Sequence, residues 1–312
     1  MKPTARGRFR GSEAANGLAM ISPTAIYALL LLAAPLAMIF AYSFMTDGYL
    51  QIIPRFQLCN YFGPCHSYKL VDGVMTEAQT YNGVWSDPLA KALMLRSLII
   101  SLVVTATTVL LAFPVAYFVS FHVSPSKKSL WLFLITIPFW TNLLIRTYAI
   151  NEVIRNEGLL NTLLLKLGAI NEPIQILYTD TAVFIGMAYV YLPLMVLPLF
   201  AAIDRFDMRL LEAGYDLYAS RWNVLRRIIL PITKPGIIAG SILVFVPSLG
   251  AYVTPRVLGG GKQMMIGNFI ELQFGQGRNW PLGSALSLML LIIVTGALLI
   301  YVRYANGDSR HG

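Results

Sequence analysis

The chain has 312 residues, of which 56% are hydrophobic and only 12% charged, with a formal net charge of +9 and a mean hydropathy of +0.63. A soluble domain carries about twice this fraction of charged residues, so the composition excludes an ordinary soluble protein and predicts an all-α integral membrane protein. The basic residues form no single exposed domain, and the positive charge therefore does not indicate nucleic-acid binding.

Six windows without a charged residue can span a bilayer, which needs about 20 apolar residues. The third is the shortest, and we expect it to continue past Arg146 to about residue 150, with the arginine reaching the interface or the protein interior. The first is too long for a signal peptide and ends at no clear cleavage site, so we expect a retained helix. The windows cover residues 14–46, 97–126, 129–145, 181–203, 235–255 and 279–302.

The distribution of charge predicts the orientation. With the N-terminus inside, the inner segments hold 14 of the 24 basic residues but 6 of the 15 acidic ones, a formal charge of +8 inside against +1 outside. The positive-inside rule therefore predicts cytoplasmic N- and C-termini. The expected organisation is a cytoplasmic tail (1–17), a first transmembrane helix with a long outer loop (18–94), a core of spans (95–304) with a cytoplasmic insert at 204–234, and a cytoplasmic tail (305–312).

Two segments on the predicted outer side have local signals. Cys59 and Cys65 lie in the first outer loop, where an oxidising compartment favours a disulfide, although two free thiols that merely pack remain the alternative. Residues 159–168 (LLNTLLLKLG) are an amphipathic stretch. We expect a short interfacial helix that Gly168 closes.

The insert at 204–234 begins with a helix-prone segment over residues 207–218. Leu211, Tyr215 and Tyr218 recur at helical spacing, which predicts that they form one apolar face.

The second half of the insert predicts a turn followed by another helix. Residues 219–223 read as a break in which Ser220 caps a helix that includes Trp222. We expect Pro231 and Pro235 to interrupt this helix before the fifth span begins. Such a helix–turn–helix suits docking to a soluble partner, and the alternative is a plain solvated loop.

The insert resembles the EAA loop of ABC importer permeases, E-A-A-x-x-x-G-x9-I-x-L-P. Gly214 departs from this pattern at the second alanine, and Tyr218 departs from it at the glycine. The resemblance implies that the insert couples the chain to a partner ATPase. The matching residues are Glu212, Ala213, Ile228, Leu230 and Pro231. The residues expected to make the coupling contact are Glu212, Ala213, Gly214, Tyr215, Tyr218, Ala219, Ser220, Arg221, Leu230 and Pro231.

Residues 137–149 (IPFWTNLLIRTYA), 258–270 and 278–285 are similar to spermidine/putrescine-type ABC transporter permeases, and the similarity covers about residues 95–304. It implies the type I ABC importer permease architecture with six transmembrane helices in the bacterial inner membrane. The first outer loop looks like an insertion. The implied partners are a second related permease subunit, two cytoplasmic ATPase subunits, a periplasmic substrate-binding protein and membrane lipid, with no nucleic acid.

The resemblance also implies that this chain binds no cofactor, because ATP and magnesium belong to the partner ATPases. The one sequence that looks like a phosphate loop, residues 259–262 (GGGK), is followed by Gln263 where serine or threonine should coordinate magnesium.

The implied solute is small and cationic, of the spermidine/putrescine class, and aromatic faces and carboxylates near kinked helices suit such a ligand. For the aromatic residues the alternative is an interfacial belt or simple packing, and for the acids it is a solvated loop charge. Arg146 would repel a cation, so we expect it to pair with a carboxylate or to face the bundle. The candidate path residues are Trp140, Asn142, Tyr148, Glu152, Tyr189, Tyr191, Tyr252 and Glu271.

Other functions fit less well. A permease of the same family for another small solute, such as an amino-acid derivative, remains the alternative. A stand-alone secondary transporter or channel would show intramembrane charges or inverted repeats, and neither is evident. The sequence contains no metal-ligand spacing, nucleophile elbow or paired carboxylates within a span, so we expect no metal site and no enzyme activity in this chain.

Overall fold

The computed structural model describes residues 6–48, 51–71 and 74–308. Within these residues the chain is helical apart from two small hairpins in the first loop. The helices are α1 (Arg6–Ser43), α2 (Pro88–Phe121), α3 (Pro125–Trp140), α4 (Leu143–Ile154), α5 (Leu159–Lys166), α6 (Asp180–Asp204), α7 (Met208–Asp216), α8 (Arg221–Val224), α9 (Leu230–Leu249), α10 (Val253–Gly259), α11 (Ile266–Phe274) and α12 (Trp280–Asp308). The strands are β1 (Thr46–Asp47), β2 (Ile52–Ile53), β3 (Pro64–Val71) and β4 (Val74–Asn82).

In the described part of the chain, five helical segments are long and apolar enough to cross a membrane, and a bent pair of helices makes a sixth if it counts as one span. These segments agree with the predicted windows in position and in apolar character, which confirms the multi-pass helical class. They are Met20–Ser43, Pro88–Phe121, Asp180–Asp204, Arg221–Leu249 and Trp280–Leu299, with the pair Pro125–Trp140 and Leu143–Lys166.

The third span continues past Arg146 as predicted, since α4 extends to Ile154, but it is broken into two helices, which the sequence analysis does not predict. The chain bends by 95° between Pro125–Trp140 and Leu143–Lys166. Thr141 is extended, and the side chain of Asn142 accepts a hydrogen bond from the Leu144 amide at 2.8 Å. Asparagine is a strong N-cap because it satisfies a free amide of the first turn, so a new helix begins where an apolar count alone expects none.

The chain divides into two compact units, Met1–Ser86 with Arg278–Leu288 and Asp87–Gly277 with Met289–Gly312. In the second unit α2, α6 and α9 pack against one another around buried methionine, leucine and alanine side chains. Glycines bring α6 and α9 close, because a Cβ on Gly236 would lie 2.5 Å from Ala202 Cβ and 2.8 Å from the Pro198 carbonyl oxygen. Small residues are typical of such close contacts between membrane helices.

Polar contacts join the ends of the helices in the second unit. The Arg96 guanidinium on α2 donates to Asp180 at the start of α6 and to the side-chain oxygen of Gln263. The Ser97 hydroxyl accepts a hydrogen bond from the Ile266 amide at 2.8 Å. These bonds connect residues 84 and more positions apart, so no local pattern in the sequence predicts them.

The helix predicted at 159–168 is present as α5, which Gly168 follows with a φ of 66°. Asn161 on α5 is fully buried and bonds to the carbonyl oxygens of Arg155 and Ile174. The left-handed conformation of Gly168 ends the helix, as its position at the end of the amphipathic run predicts.

The loop between α1 and α2 contains secondary structure that the sequence does not predict. Strands β1 and β2 pair antiparallel, as do β3 and β4, the second pair with an irregularity between Ser67 and Tyr68. Cys59 and Cys65 form a disulfide, with their Cα atoms 5.3 Å apart. Because these strands are short or of mixed polarity, they lack the alternating pattern that would have indicated them.

Candidate functional site

The insert at 204–234 begins with helix α7, whose start is fixed by Asp207. The Asp207 carboxylate accepts a hydrogen bond from the Arg209 amide at 3.0 Å. Leu211 and Gly214 are the buried residues of α7. The helix therefore lies on the protein by one narrow side and leaves the rest of its surface exposed.

The predicted apolar face of Leu211, Tyr215 and Tyr218 is wrong. Their exposed fractions are 7%, 47% and 97%, so only the leucine is buried. The helix ends at Asp216, and Tyr218 takes a left-handed conformation with a φ of 56°. Its position therefore no longer follows the helical spacing that the prediction assumed.

The end of α7 is a Schellman-type turn. The Ala219 amide donates to the Gly214 carbonyl at 3.1 Å, and the Tyr218 amide donates to the Tyr215 carbonyl at 2.9 Å. Such turns prefer glycine at the left-handed position, because a side chain there crowds the backbone. The family pattern has glycine at this position, and the left-handed backbone gives a structural reason for that glycine. The same left-handed backbone is present here although the residue is Tyr218.

A small apolar cluster fixes the insert to the end of α2. It contains Phe206, Leu211, Val224 and Ile229, packed against partly buried side chains of α2 such as Phe121. The insert is thus a folded hairpin with its own core, which excludes the plain solvated loop. Leu211 joins one arm to this core, and Val224 joins the other.

Gly214 allows the two arms of the hairpin to approach. A Cβ at this position would lie 2.8 Å from Ile228 Cδ1 and 3.6 Å from Val224 Cγ2. The closer contact is the end of a flexible side chain, so alanine, the residue of the family pattern, can be accommodated if Ile228 adjusts.

The second arm begins as predicted and then differs. The Ser220 hydroxyl accepts a hydrogen bond from the Asn223 amide at 3.3 Å, which confirms the predicted cap. Pro231 and Pro235 do not interrupt the helix, so that prediction is wrong: Arg221–Leu249 is one span.

A π-helical turn explains why Pro231 is tolerated. Residues Leu225–Ile229 are π-helical, and the Leu230 amide donates to the Leu225 carbonyl. A proline ring in a regular α-helix clashes with the carbonyl four residues earlier. The wider π turn lies directly before Pro231 and relieves this crowding.

Most predicted coupling residues lie on the outer surface of this hairpin. Gly214 is buried, Ala219 and Leu230 are partly buried, and the other seven are exposed. The sequence analysis missed Leu217 and Trp222 as surface residues of the same tip, where they are 82% and 66% exposed. Their position beside the predicted turn was the available signal.

The predicted path residues on the bent third span have separate surroundings. Trp140, the last residue of α3, is 83% exposed, and Asn142 is occupied as the cap of α4. Tyr148, 57% exposed, lies one turn before Glu152 on α4. The Glu152 carboxylate pairs with the Arg155 guanidinium at 3.1 Å.

The remaining path residues also bind different neighbours. The Tyr191 hydroxyl donates to the Pro247 carbonyl at 3.2 Å, and the Tyr252 carbonyl accepts from the Asn268 amide group at 2.7 Å. Tyr189 is 37% exposed. The structure thus distributes these side chains over α6 and the start of α10.

Glu271 borders a small cavity of about 160 Å³ that Met264 and Asn268 also line. Its carboxylate pairs with the Arg256 guanidinium at 2.5 Å. Of the eight predicted path residues, Glu271 alone borders this cavity. The structure therefore places the two candidate acids at different points, each beside an arginine.

Arg146 faces the helical bundle, one of the two outcomes expected for it. It is 8% exposed, donates to the Val190 carbonyl at 3.5 Å, and lies with its guanidinium 5.5 Å from the centre of the Phe139 ring. In the described ranges no carboxylate forms an ion pair with it, and its Nε has no hydrogen-bond partner. The ring and the carbonyl oxygen partly compensate the cost of burying this cation.

Several apolar spans, together with a structured polar hairpin whose tip is exposed, define a multi-pass helical membrane protein. The chain belongs to the family described as binding-protein-dependent transport system inner membrane component, which it matches over residues 73–307.

Its relatives include the spermidine/putrescine transport system permease protein PotB of Salmonella typhimurium (strain SL1344), 44% identical over 217 residues that cover 70% of this chain and 75% of the relative. PotB of Escherichia coli (strain K12) is 43% identical over the same share of this chain and 78% of its own length. The inner membrane ABC transporter permease protein YdcU of Escherichia coli is 30% identical over 230 residues, 70% of this chain and 72% of YdcU. The resemblance seen in the sequence is confirmed.

Solved structures show the same fold. A chain in the crystal structure of a bacterial ABC transporter involved in import of the acidic polysaccharide alginate superposes with a TM-score of 0.63, covering 97% of this chain and 98% of that chain at 16% identity. The same transporter in complex with an alginate pentasaccharide-bound periplasmic protein gives a TM-score of 0.58, covering 96% of this chain and 95% of that chain at 16% identity. The chain is therefore a multi-pass permease subunit of an ABC importer in the bacterial inner membrane.

Proposed function

We propose that this chain forms half of the translocation path for a small cationic solute of the spermidine/putrescine class. The observation that carries the proposal is the 44% identity to a spermidine/putrescine permease over 70% of this chain. The alginate transporters share the fold at 16% identity, which supports no inference about the solute.

The chemistry of the described residues is compatible with a cation. Trp140, Tyr148 and Tyr252 offer exposed aromatic faces, to which an ammonium group is attracted. Glu152 and Glu271 offer carboxylates, each already beside an arginine. Arg146 on the third span is buried against a ring and a carbonyl, away from Glu152 and Glu271, so it leaves both acids free of its ion pairing.

The exposed hairpin tip supports the proposed partners. We place the hairpin and both termini in the cytoplasm, where the hairpin docks on one of two ATPase subunits. A second, related permease completes the path, and a periplasmic binding protein delivers the solute. ATP and magnesium bind to the ATPases, and this chain binds no cofactor. The proposed segments remain 1–17, 18–94, 95–304 and 305–312.

The solute is tested by uptake into proteoliposomes that contain the complete importer and its binding protein. Labelled spermidine or putrescine should enter only when ATP is supplied on the side of the membrane that carries the ATPases. Unlabelled polyamine should compete with the labelled solute. An excess of an amino-acid derivative should not compete. Competition by the derivative but not by polyamines would transfer the assignment to another small solute.

The role of the two acids is tested by Glu152→Gln with Glu271→Gln. The KM for a polyamine should rise about tenfold for each of the two acids, because one hydrogen bond to a charged group contributes about 1.5 kcal/mol and about 1.4 kcal/mol is a factor of ten. Glu157→Gln, at a cavity that contains none of the predicted path residues, is the control. An unchanged KM in the double variant would make these acids loop charges.

The orientation is tested by cysteine labelling of intact cells. Trp222→Cys, at the hairpin tip, should react with a membrane-impermeant maleimide only after the cells are opened. Glu77→Cys, an exposed position on β4 on the other side of the proposed membrane, should react in intact cells once the outer membrane is permeabilised. Labelling of the Trp222 variant from outside would refute the docking role.

A further inference from the structure

A group of exposed apolar side chains surrounds the end of α1, outside any site described above. Phe56, Leu58, Phe62 and Trp85 are 72%, 54%, 66% and 50% exposed. Residues 54–63 together with Trp85 are called the aromatic platform. Aromatic side chains exposed to this extent and grouped together indicate contact with another surface.

The platform is fixed to the last turn of α1. The Asn60 side chain donates to the carbonyl oxygens of Ser43 and Met45, both at 2.9 Å, and the Tyr61 hydroxyl donates to Ser43 Oγ at 2.8 Å. Burial raises the pKa of Tyr61 above its ordinary value, so the hydroxyl keeps the proton that it donates. These bonds thus hold the platform next to the residue at which the first span ends.

The platform is also braced from within. Its backbone is joined to the segment before α2, since the Trp85 amide donates to the Tyr61 carbonyl at 3.0 Å. Gly83 makes this approach possible, because a Cβ there would lie 2.1 Å from the Cys59 carbonyl oxygen. The Cys59–Cys65 disulfide closes the same turn. The exposed side chains therefore stand on a rigid base.

The exposed surface of the span continues onto the platform. Phe40, 58% exposed in the apolar segment Met20–Ser43, has its ring 5.2 Å from that of Phe44. The Phe44 ring stacks on Phe56 at 5.3 Å, with the planes 9° apart. The Phe62 amide donates to the Leu58 carbonyl at 3.2 Å, so these two side chains lie on one side of a helical turn.

We propose that the aromatic platform lies in the interfacial layer of the lipid bilayer and anchors the first outer loop to it. Aromatic side chains favour this layer, where a ring meets both acyl chains and headgroups. Arg55, exposed beside Phe56, is placed to meet the phosphate groups of anionic lipids. Continuity with the bare surface of the span favours lipid over the periplasmic binding protein as the occupant, and it does not depend on the solute.

Nitroxide labelling tests the proposal in the complete importer. Leu58→Cys and Phe62→Cys provide the label sites, and Glu77→Cys, an exposed position on β4, is the matched control. The native cysteines are joined to each other and do not react. The protein is placed in vesicles of phosphatidylethanolamine and phosphatidylglycerol, and collisions of the label with oxygen and with a water-soluble nickel chelate are measured.

For both platform labels, the ratio of oxygen collisions to nickel-chelate collisions should be several-fold above that of the Glu77 control. This ratio should fall when detergent micelles replace the ordered bilayer. Ratios equal to the control at both sites would overturn the proposal. So would labels that are wet in vesicles and become protected only when purified periplasmic binding protein is added, since that would make the platform a protein docking surface.

Discussion

Tyr218 stands at the left-handed position that ends α7, and we predict that Tyr218→Gly stabilises the isolated permease while weakening ATP-driven uptake. The backbone there has a φ of 56°, and the side chain is 97% exposed. The ring thus contributes almost no burial within the chain, while the backbone retains the crowding that a Cβ causes.

The magnitude follows from two opposing terms. A residue other than glycine in this conformation costs about 1–2 kcal/mol, and glycine costs about 0.5–1 kcal/mol more than alanine in conformational entropy. The net gain of Tyr218→Gly is therefore about 0.5–1 kcal/mol, or about 1–3 °C in unfolding midpoint for a domain of this size. Tyr218→Ala keeps the backbone cost and removes only the ring, so its midpoint should not change.

The assay compares unfolding midpoints of the purified permease in one detergent, with Gly168→Ala as the inverse control. Gly168 has a φ of 66° and open space around its missing Cβ, so alanine there should lower the midpoint through the backbone alone. A drop in midpoint for Tyr218→Gly would refute the reasoning, since it would mean that the ring packs within the chain.

Uptake by the complete importer distinguishes an effect of the backbone turn at position 218 from an effect of the tyrosine ring. A tyrosine at the centre of a protein interface contributes about 2 kcal/mol, so the glycine and alanine variants at position 218 should both lose ATP-driven uptake if the ring meets the ATPase. Loss in the glycine variant alone would assign the effect to the turn geometry.

Three further changes have defined outcomes. Gly236→Ala should destabilise the permease by about 1–3 kcal/mol through overpacking of α9 on α6, whereas Gly296→Ala, with nothing within 4 Å of the new Cβ, should not; equal midpoints would contradict the close approach. Glu212→Ala should leave insertion intact but uncouple ATP hydrolysis from uptake, and normal uptake would argue against docking. Mass spectrometry without reductant should find Cys59 linked to Cys65, and serine at both positions should lower stability by about 2 kcal/mol; alkylatable thiols in the native protein would exclude the bond.

The sequence predicted what depends on composition and local spacing. Apolar windows located the spans, and Ser220 was identified as a cap because serine before a helical run has a local signature. Gly168 closed α5 for the same reason. The departure of Tyr218 from the family pattern was visible in the sequence, but its consequence was not, because φ depends on where α7 ends.

What the sequence could not predict depends on contacts between distant residues. The bond from Arg96 to Gln263 joins residues 167 positions apart, and the close approach of Gly236 to Ala202 depends on how α6 and α9 cross. The break at Asn142 was missed because apolar content was weighed above capping. In each case tertiary geometry, rather than propensity, decided the outcome.

The continuity of the helix through Pro231 bears directly on coupling. Had the prolines broken the chain there, as predicted from the sequence, a displacement of the hairpin would have been absorbed by a loose joint. Instead Arg221–Leu249 is a single span, and its lower end belongs to the same apolar cluster as α7 through Val224 and Ile229. A force on the exposed tip therefore reaches α9 without an intervening loop. Because α9 packs closely on α6 at Gly236, we expect a movement of the hairpin to shift the two helices together as packed elements.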